Sequence, residues 1–194
     1  NPIARAPWNE PGIIGKLLDA GAQGVIVPMV NSAEEAQAAV DACCYPPLGA
    51  RSWGPSGAAP RLDNYFTASG DQVATIVMVE TVQALNNVDA IVNTPGVDAV
   101  YVGPADLSIS LGLPPGNNDD AAEFTEALHA IVAACQNAGV VPGIHSSGSL
   151  TPLRLEQGFR MITVTADNVA MNVGVQAELA RARGEGVEGS NSMY

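Results

Sequence analysis

The sequence predicts a parallel α/β fold, on three observations. Short runs rich in Val and Ile recur along the 194 residues, at Gly24–Val27, Val73–Val79, Val97–Val102, Val140–Ile144 and Met161–Val164. Continuous apolar runs of this length suit strands covered on both faces. Amphipathic helical patterns lie between them, giving a β-α-β-α alternation. Hydrophobic residues make up 47% of the chain, ample for a core and too many for a disordered polymer.

The elements follow in order. Ile3–Ala6 is a weak first strand. Pro11–Ala20 sets Ile13, Ile14, Leu17 and Leu18 on one helical face, with Lys16 and Asp19 off it. Ser32 reads as an N-cap, with Glu34 and Glu35 in the first turn of an alanine-rich helix to Ala42. Asp119 or Asp120 is expected to cap a long helix running to about Asn137 and ended by Gly139. Leu150–Gln157, closed by Gly158, and Asn168–Arg183 are the last helices. Residues 1–183 read as one domain, and 184–194, with Gly, Ser and Asn but no periodicity, as a disordered tail. On pattern alone, six strands favour an open doubly wound sheet over a (β/α)₈ barrel, which needs eight.

Charge excludes some functions. Eight basic residues against 20 acidic ones leave −12, which disfavours nucleic acid and other polyanionic partners. Lys16 is the one lysine, placed on the polar side of a helix, so imine chemistry is not expected. Three cysteines with no metal-ligand spacing read as reduced thiols of a cytoplasmic protein. No signal-peptide pattern opens the chain, and no apolar run is long enough to span a bilayer.

Two carboxylates stand out by position. Glu80 directly follows the run Val73–Val79, and Asp106 follows Val97–Val102 across the turn Gly103-Pro104-Ala105. One helical connection separates the two strands, so both side chains are expected at the carboxyl ends of neighbouring strands, where α/β sheets build their sites. Two oxygen ligands without nearby His or Cys suit a hard cation such as Mg²⁺ or Mn²⁺. The competing use of each is as an N-cap of the following helix. Arg5, at the end of the first strand, is either an ion-pair partner or an anion clamp. The turn at Gly103 opens a helix whose free N–H groups suit a carboxylate, or is an ordinary βα turn. His145 ends a strand on the same face, as a general base or as a polar group with a local partner. His129, Trp8 and Trp53 read as surface or packing residues, although Trp53 lies in a Gly/Pro-rich loop that could border a pocket.

Several segments read together resemble one family. Gly21-Ala22-Gln23-Gly24-Val25-Ile26-Val27-Pro28-Met29-Val30, Tyr45-Pro46-Pro47-Leu48-Gly49-Ala50-Arg51, Val79-Glu80-Thr81 and Gly103-Pro104-Ala105-Asp106-Leu107-Ser108 are similar to the HpcH/HpaI aldolases, the class II, metal-dependent pyruvate aldolases. The similarity runs from Ile3 to about Arg183.

The resemblance implies a TIM (β/α)₈ barrel and reverses the preference for an open sheet. Ile3–Ala6 then aligns with the third strand, and the chain supplies about six βα units. Glu80 and Asp106 match the family's metal ligands, for Mg²⁺ or Mn²⁺ with Co²⁺ as a further candidate. Arg5 matches the arginine that stabilises the enolate oxygen of pyruvate. Gly103, Pro104 and Ala105 match the turn whose backbone binds the pyruvate carboxylate. The implied activity is reversible aldol cleavage of 4-hydroxy-2-oxo acids to pyruvate and an aldehyde through a metal-bound enolate. The implied assembly is a homo-hexamer with the last helix on a neighbouring subunit. The family's catalytic histidine and its aspartate partner fall on a unit that would precede residue 1. Met78 departs from the glutamine that close relatives often carry. The alternatives are a citrate-lyase-like lyase of acyl-CoA substrates, which would want a basic surface, and a catalytically incomplete structural subunit.

Overall fold

The computed structural model describes residues 1–61 and 63–184; of the expected tail over 184–194, all but Gly184 lies outside the described residues. Six strands and the helices between them follow in sequence: β1 (Ile3–Arg5), α1 (Pro11–Asp19), β2 (Gly24–Val27), α2 (Ala33–Cys43), α3 (Tyr65–Gln72) and β3 (Ala74–Met78). Next come α4 (Val82–Asn86), α5 (Val88–Val92), β4 (Ala99–Val102), α6 (Pro104–Ser110), α7 (Ala122–Ala138), β5 (Val141–Ile144), α8 (Thr151–Glu156), β6 (Met161–Ile162) and α9 (Asp167–Ala182).

Every strand pair is parallel and the spatial order is β1-β2-β3-β4-β5-β6, the order of the chain. A doubly wound sheet would reverse order at a middle strand and carry helices on both faces. Sequential order instead sends each crossover the same way, because right-handed connections are enforced by strand twist. The open-sheet expectation from pattern alone is therefore corrected. The sheet curls, with its convex face under the helices.

That convex face is the main core. Val25, Val27, Val77, Val79, Val100, Val102 and Ile144 meet Ile14, Leu18, Val40, Leu128 and Ile131 from the helices, all at most 5% exposed. Each such side chain contributes about 1.5–3 kcal/mol on burial. The concave face carries a smaller cluster, Ile76, Met78, Ala99 and Tyr101, joined by Ile26 and Met161. Alternation along the strands therefore separates two layers, helix-facing and inward-facing.

Local chemistry sets the helix ends. Glu10 caps α1, its carboxylate accepting N–H bonds from Gly12 and Ile13 at 2.8 Å, and Pro11 opens the helix. Ser32 caps α2 through the N–H of Glu35 at 3.2 Å. The expected capping of α7 by Asp119 or Asp120 is not found; Ala121 sits at that position without a side-chain bond. Asp119 is taken instead by Arg154, which is fully buried and holds the carboxylate through two bonds of 2.6 and 2.9 Å. This pair, with a bond from Arg154 to Asn117 at 2.7 Å, ties the loop before α7 to α8. Gly139, at φ 72°, closes α7 in the left-handed region, as its position in the sequence predicts.

Candidate active site

The strand ends place the expected residues on one concave surface. Along β3 the inward row is Ile76, Met78 and then Glu80, just past the strand; along β4 it is Ala99, Tyr101 and Gly103. Arg5 ends β1, and His145 follows β5. A cavity of about 270 Å³ at this mouth is lined by Arg5, Met78, Tyr101, Gly103, Pro104, Ala105, Asp106 and His145. Residues from β1 and β5 thus face one space across the curl of the sheet.

Glu80 lies behind this lining, against Gly103, and is 1% exposed. Its Oε1 accepts the N–H of Met29 at 2.8 Å, while its Oε2 is buried with no hydrogen-bond partner. Met29 has φ 57°, a left-handed conformation unusual outside glycine. The loop holding it is tied to the segment after β3 through Glu80 and through the Thr81 hydroxyl bonded to Asn31, and to the end of α4 through Asn87, which donates to the Asn31 carbonyl at 2.7 Å. Burial pushes the Glu80 carboxyl above its ordinary range; the Met29 bond opposes this, the charge of Asp106 adds to it, and Arg5 opposes it.

Neither carboxylate serves as the cap of the following helix. Thr81 caps α4, its hydroxyl accepting from the N–H of Ala84 at 3.0 Å. Asp106 is the third residue of α6, exposed, where the helix dipole favours a negative charge. Pro104 opens that helix and has no N–H, so in its first turn Ala105 and Asp106 carry the N–H groups open to an anion.

The donor set fits a hard divalent cation. A buried carboxylate oxygen without a partner costs about 1–3 kcal/mol or more unless something satisfies it, and Glu80 Oε2 is such an atom beside a second carboxylate. Among the described residues no group of three or more His, Cys, Asp or Glu side chains is placed to hold a metal ion. A carboxylate pair suits a cation that keeps part of its water shell for substrate oxygens, as Mg²⁺ does.

The other candidates fall outside the cavity. Lys16 is exposed on α1, and His129 is exposed on α7. Trp53 packs against Tyr45 and Phe66, at ring-centroid distances of 5.2 and 5.7 Å. Trp8 borders a separate cleft with Asn9, Met29 and Glu35. Two members of the site carried no motif. Tyr101 sits inside an apolar run, where only alternation counted back from Gly103 would have turned it inward. Thr163, bonded to the Tyr101 hydroxyl, follows the two-residue strand β6.

Comparison with known proteins sets this geometry in a family. The sequence profile of the HpcH/HpaI aldolase/citrate lyase family matches residues 1–173. The chain belongs to that family. Among its relatives, a hydroxypyruvate/pyruvate aldolase of Rhizorhabdus wittichii is 36% identical over 184 residues, 94% of this chain and 73% of that protein. A 4-hydroxy-2-oxo-heptane-1,7-dioate aldolase of Klebsiella pneumoniae is 38% identical over 185 residues, 93% of this chain and 69% of that protein. The crystal structure of an HpcH/HpaI aldolase/citrate lyase family protein from Burkholderia cenocepacia superposes with a TM-score of 0.85 at 32% identity, covering 94% of this chain and 73% of that one. These relationships support aldol cleavage as the activity of an HpcH/HpaI family member with this sequence. Among the described residues no helix is long and apolar enough to cross a membrane.

Proposed function

We propose that this protein is a divalent-metal-dependent aldolase that cleaves and forms 4-hydroxy-2-oxo acids, with pyruvate and an aldehyde as the other side of the reaction. The observation that carries the reading is the buried, unpartnered Oε2 of Glu80 against Gly103, beside a mouth lined by Asp106, Arg5 and that turn.

Glu80 and Asp106 would hold the cation, Mg²⁺ or Mn²⁺ by the hardness of the oxygen donors, with Co²⁺ a further candidate. When bound, such a cation supplies Lewis-acid polarisation of a keto oxygen. The chain's own residues do the rest. The N–H groups of Ala105 and Asp106, presented by the Gly103-Pro104 turn, orient the pyruvate carboxylate. Arg5, reaching over the mouth from β1, stabilises negative charge on the enolate oxygen as the methyl proton leaves. Met78 lines the floor as an apolar contact.

The fold reading is finer too. The curled sheet is the third to eighth strand of a (β/α)₈ barrel, with β1 and β6 at its edges. A span of 73% of the R. wittichii relative suits six units of eight. A homo-oligomer, hexameric by the family resemblance, belongs to the same reading. Helix α9 has no buried residue and exposes Val169 and Val173 on one side and Met171 and Val175 on the other, apolar surface suited to another copy.

The test is mutational. Glu80→Ala and Asp106→Ala are expected to abolish aldol cleavage that EDTA also abolishes in the parent protein. Full rates in both variants, insensitive to EDTA, would overturn the assignment.

A further inference from the structure

The reaction as described leaves one wall of the cavity unused. Tyr101 on β4, His145 after β5 and Thr163 after β6 stand side by side on the concave face of three consecutive strands. The Tyr101 hydroxyl is hydrogen-bonded to Thr163 Oγ1 and lies 3.4 Å from Nδ1 of His145. Room for the ring comes from Gly143, where a Cβ would stand 2.9 Å from Tyr101 Cδ2. Burial pushes the Tyr101 phenol up, so its hydroxyl keeps its proton and remains a donor.

Tyr101 and His145 line the same cavity as Arg5 and the turn at residues 103–106; they come from β4 and β5, across the sheet's curl from Arg5 on β1. With Nδ1 turned to Tyr101, Nε2 is the ring nitrogen left for a ligand, whichever nitrogen carries the proton. The wall offers hydroxyl and imidazole groups, which both donate and accept. Such a surface matches a hydroxyl. A distal carboxylate would find no Lys or Arg on this wall, since Arg5, the one such residue of the cavity lining, is engaged on the pyruvate side.

We infer that Tyr101, His145 and Thr163 form the pocket for the acceptor aldehyde and select a small hydroxyaldehyde, over both an unsubstituted aldehyde and one bearing a distal carboxylate. This rests on the aldolase reading, in which pyruvate occupies the Arg5 and Gly103 side. In the bond-forming direction the pyruvate enolate carbon bonds to the aldehyde carbon. The carbonyl π pair moves to its oxygen, and that oxygen takes up the proton the methyl group lost. Tyr101 and His145 touch only the substituent, and Thr163 is a positioning residue that holds the Tyr101 hydroxyl.

The test is kcat/KM for addition of pyruvate to glycolaldehyde, acetaldehyde and succinic semialdehyde by the whole protein with Mn²⁺, alongside deuterium exchange of the pyruvate methyl group. The protein is expected to prefer glycolaldehyde over both others. The glycolaldehyde-to-acetaldehyde ratio is expected to fall about 3- to 10-fold in Tyr101→Phe, in His145→Ala and in the near-isosteric Thr163→Val, the loss of one uncharged hydrogen bond. A merely structural role would lower all acceptors alike; unchanged ratios in the folded variants would overturn the inference. So would a parent protein that prefers succinic semialdehyde or acetaldehyde while exchanging the pyruvate methyl protons, and the aldolase reading would then stand. Absence of both exchange and addition in the parent protein would overturn the aldolase reading, and this inference with it.

Discussion

A Cβ on Gly103 would stand 2.3 Å from Oε2 of Glu80. The two residues sit at the ends of neighbouring strands, and the missing side chain of one is the space that the carboxylate of the other occupies. Real Cβ atoms do not approach so closely, and Glu80 has little room to retreat, because its other oxygen is held by Met29. Gly103→Ala is therefore expected to displace the carboxylate and weaken divalent-cation affinity about 10- to 100-fold, in the range seen when the support of a metal ligand is lost. Titration calorimetry with Mn²⁺ checks it; unchanged affinity would show that the contact does not position Glu80.

Glu80 also predicts a pH dependence. Its carboxyl is raised by burial above the ordinary value of 4.5 that it has in the unfolded chain. The folded state then holds the proton more tightly than the unfolded state does. Its contribution to stability is fully present below 4.5 and is lost as pH rises through the folded value. Urea unfolding in EDTA between pH 4 and 8 is expected to show this fall, and Glu80→Gln is expected to flatten it.

The ion pair of Arg154 and Asp119 is a matter of stability alone. Arg154 is 0% exposed and its partner carboxylate 23%. Arg154→Ala leaves Asp119 and Asn117 without their donor and is expected to cost about 3–5 kcal/mol in chemical denaturation. The cavity lining does not include this pair, so pyruvate binding to the folded variant is expected to be unchanged.

Burial governs the thiols. It pushes Cys43 to about 11 and Cys135 to about 12, and it raises half-buried Cys44 as well. At pH 8 the native protein is expected to resist a thiol reagent such as Ellman's, with all 3 cysteines reacting only after denaturation.

The exposed apolar surface on both sides of α9 is the remaining prediction. Met171 and Val173 are 69% and 64% exposed. The double substitution Met171→Glu and Val173→Lys is expected to lower the assembly mass seen by light scattering while leaving the circular dichroism of the subunit intact.

Much of this was legible in the chain itself. The strands are Val/Ile-rich runs because a covered parallel strand must be apolar on both faces, so they announce themselves. The caps at Ser32 and Gly139 follow from orphan backbone groups that local residues satisfy. Glu80, Asp106 and Arg5 were visible as polar groups placed where apolar runs stop. The sheet's curl was not legible in the element pattern, since strand order is a long-range property that six short runs do not specify; only the family resemblance implied it. Asp119 was misread for the same reason: its partner, Arg154, lies 35 residues away and outcompetes the local cap. Tyr101 was hidden by its setting, because an aromatic in an apolar strand looks like core until the neighbouring Gly143 and Thr163 are seen to make room and a hydrogen bond for its ring and hydroxyl.

A crystal structure of the protein soaked with Mn²⁺ and oxamate, a stable analogue of pyruvate, tests the central claim most directly. The account predicts a metal ion on Glu80 Oε2 and Asp106, with oxamate against Arg5 and its carboxylate at the N–H groups of Ala105 and Asp106. A metal bound elsewhere, or oxamate bound away from Arg5 and the Gly103 turn, would contradict it.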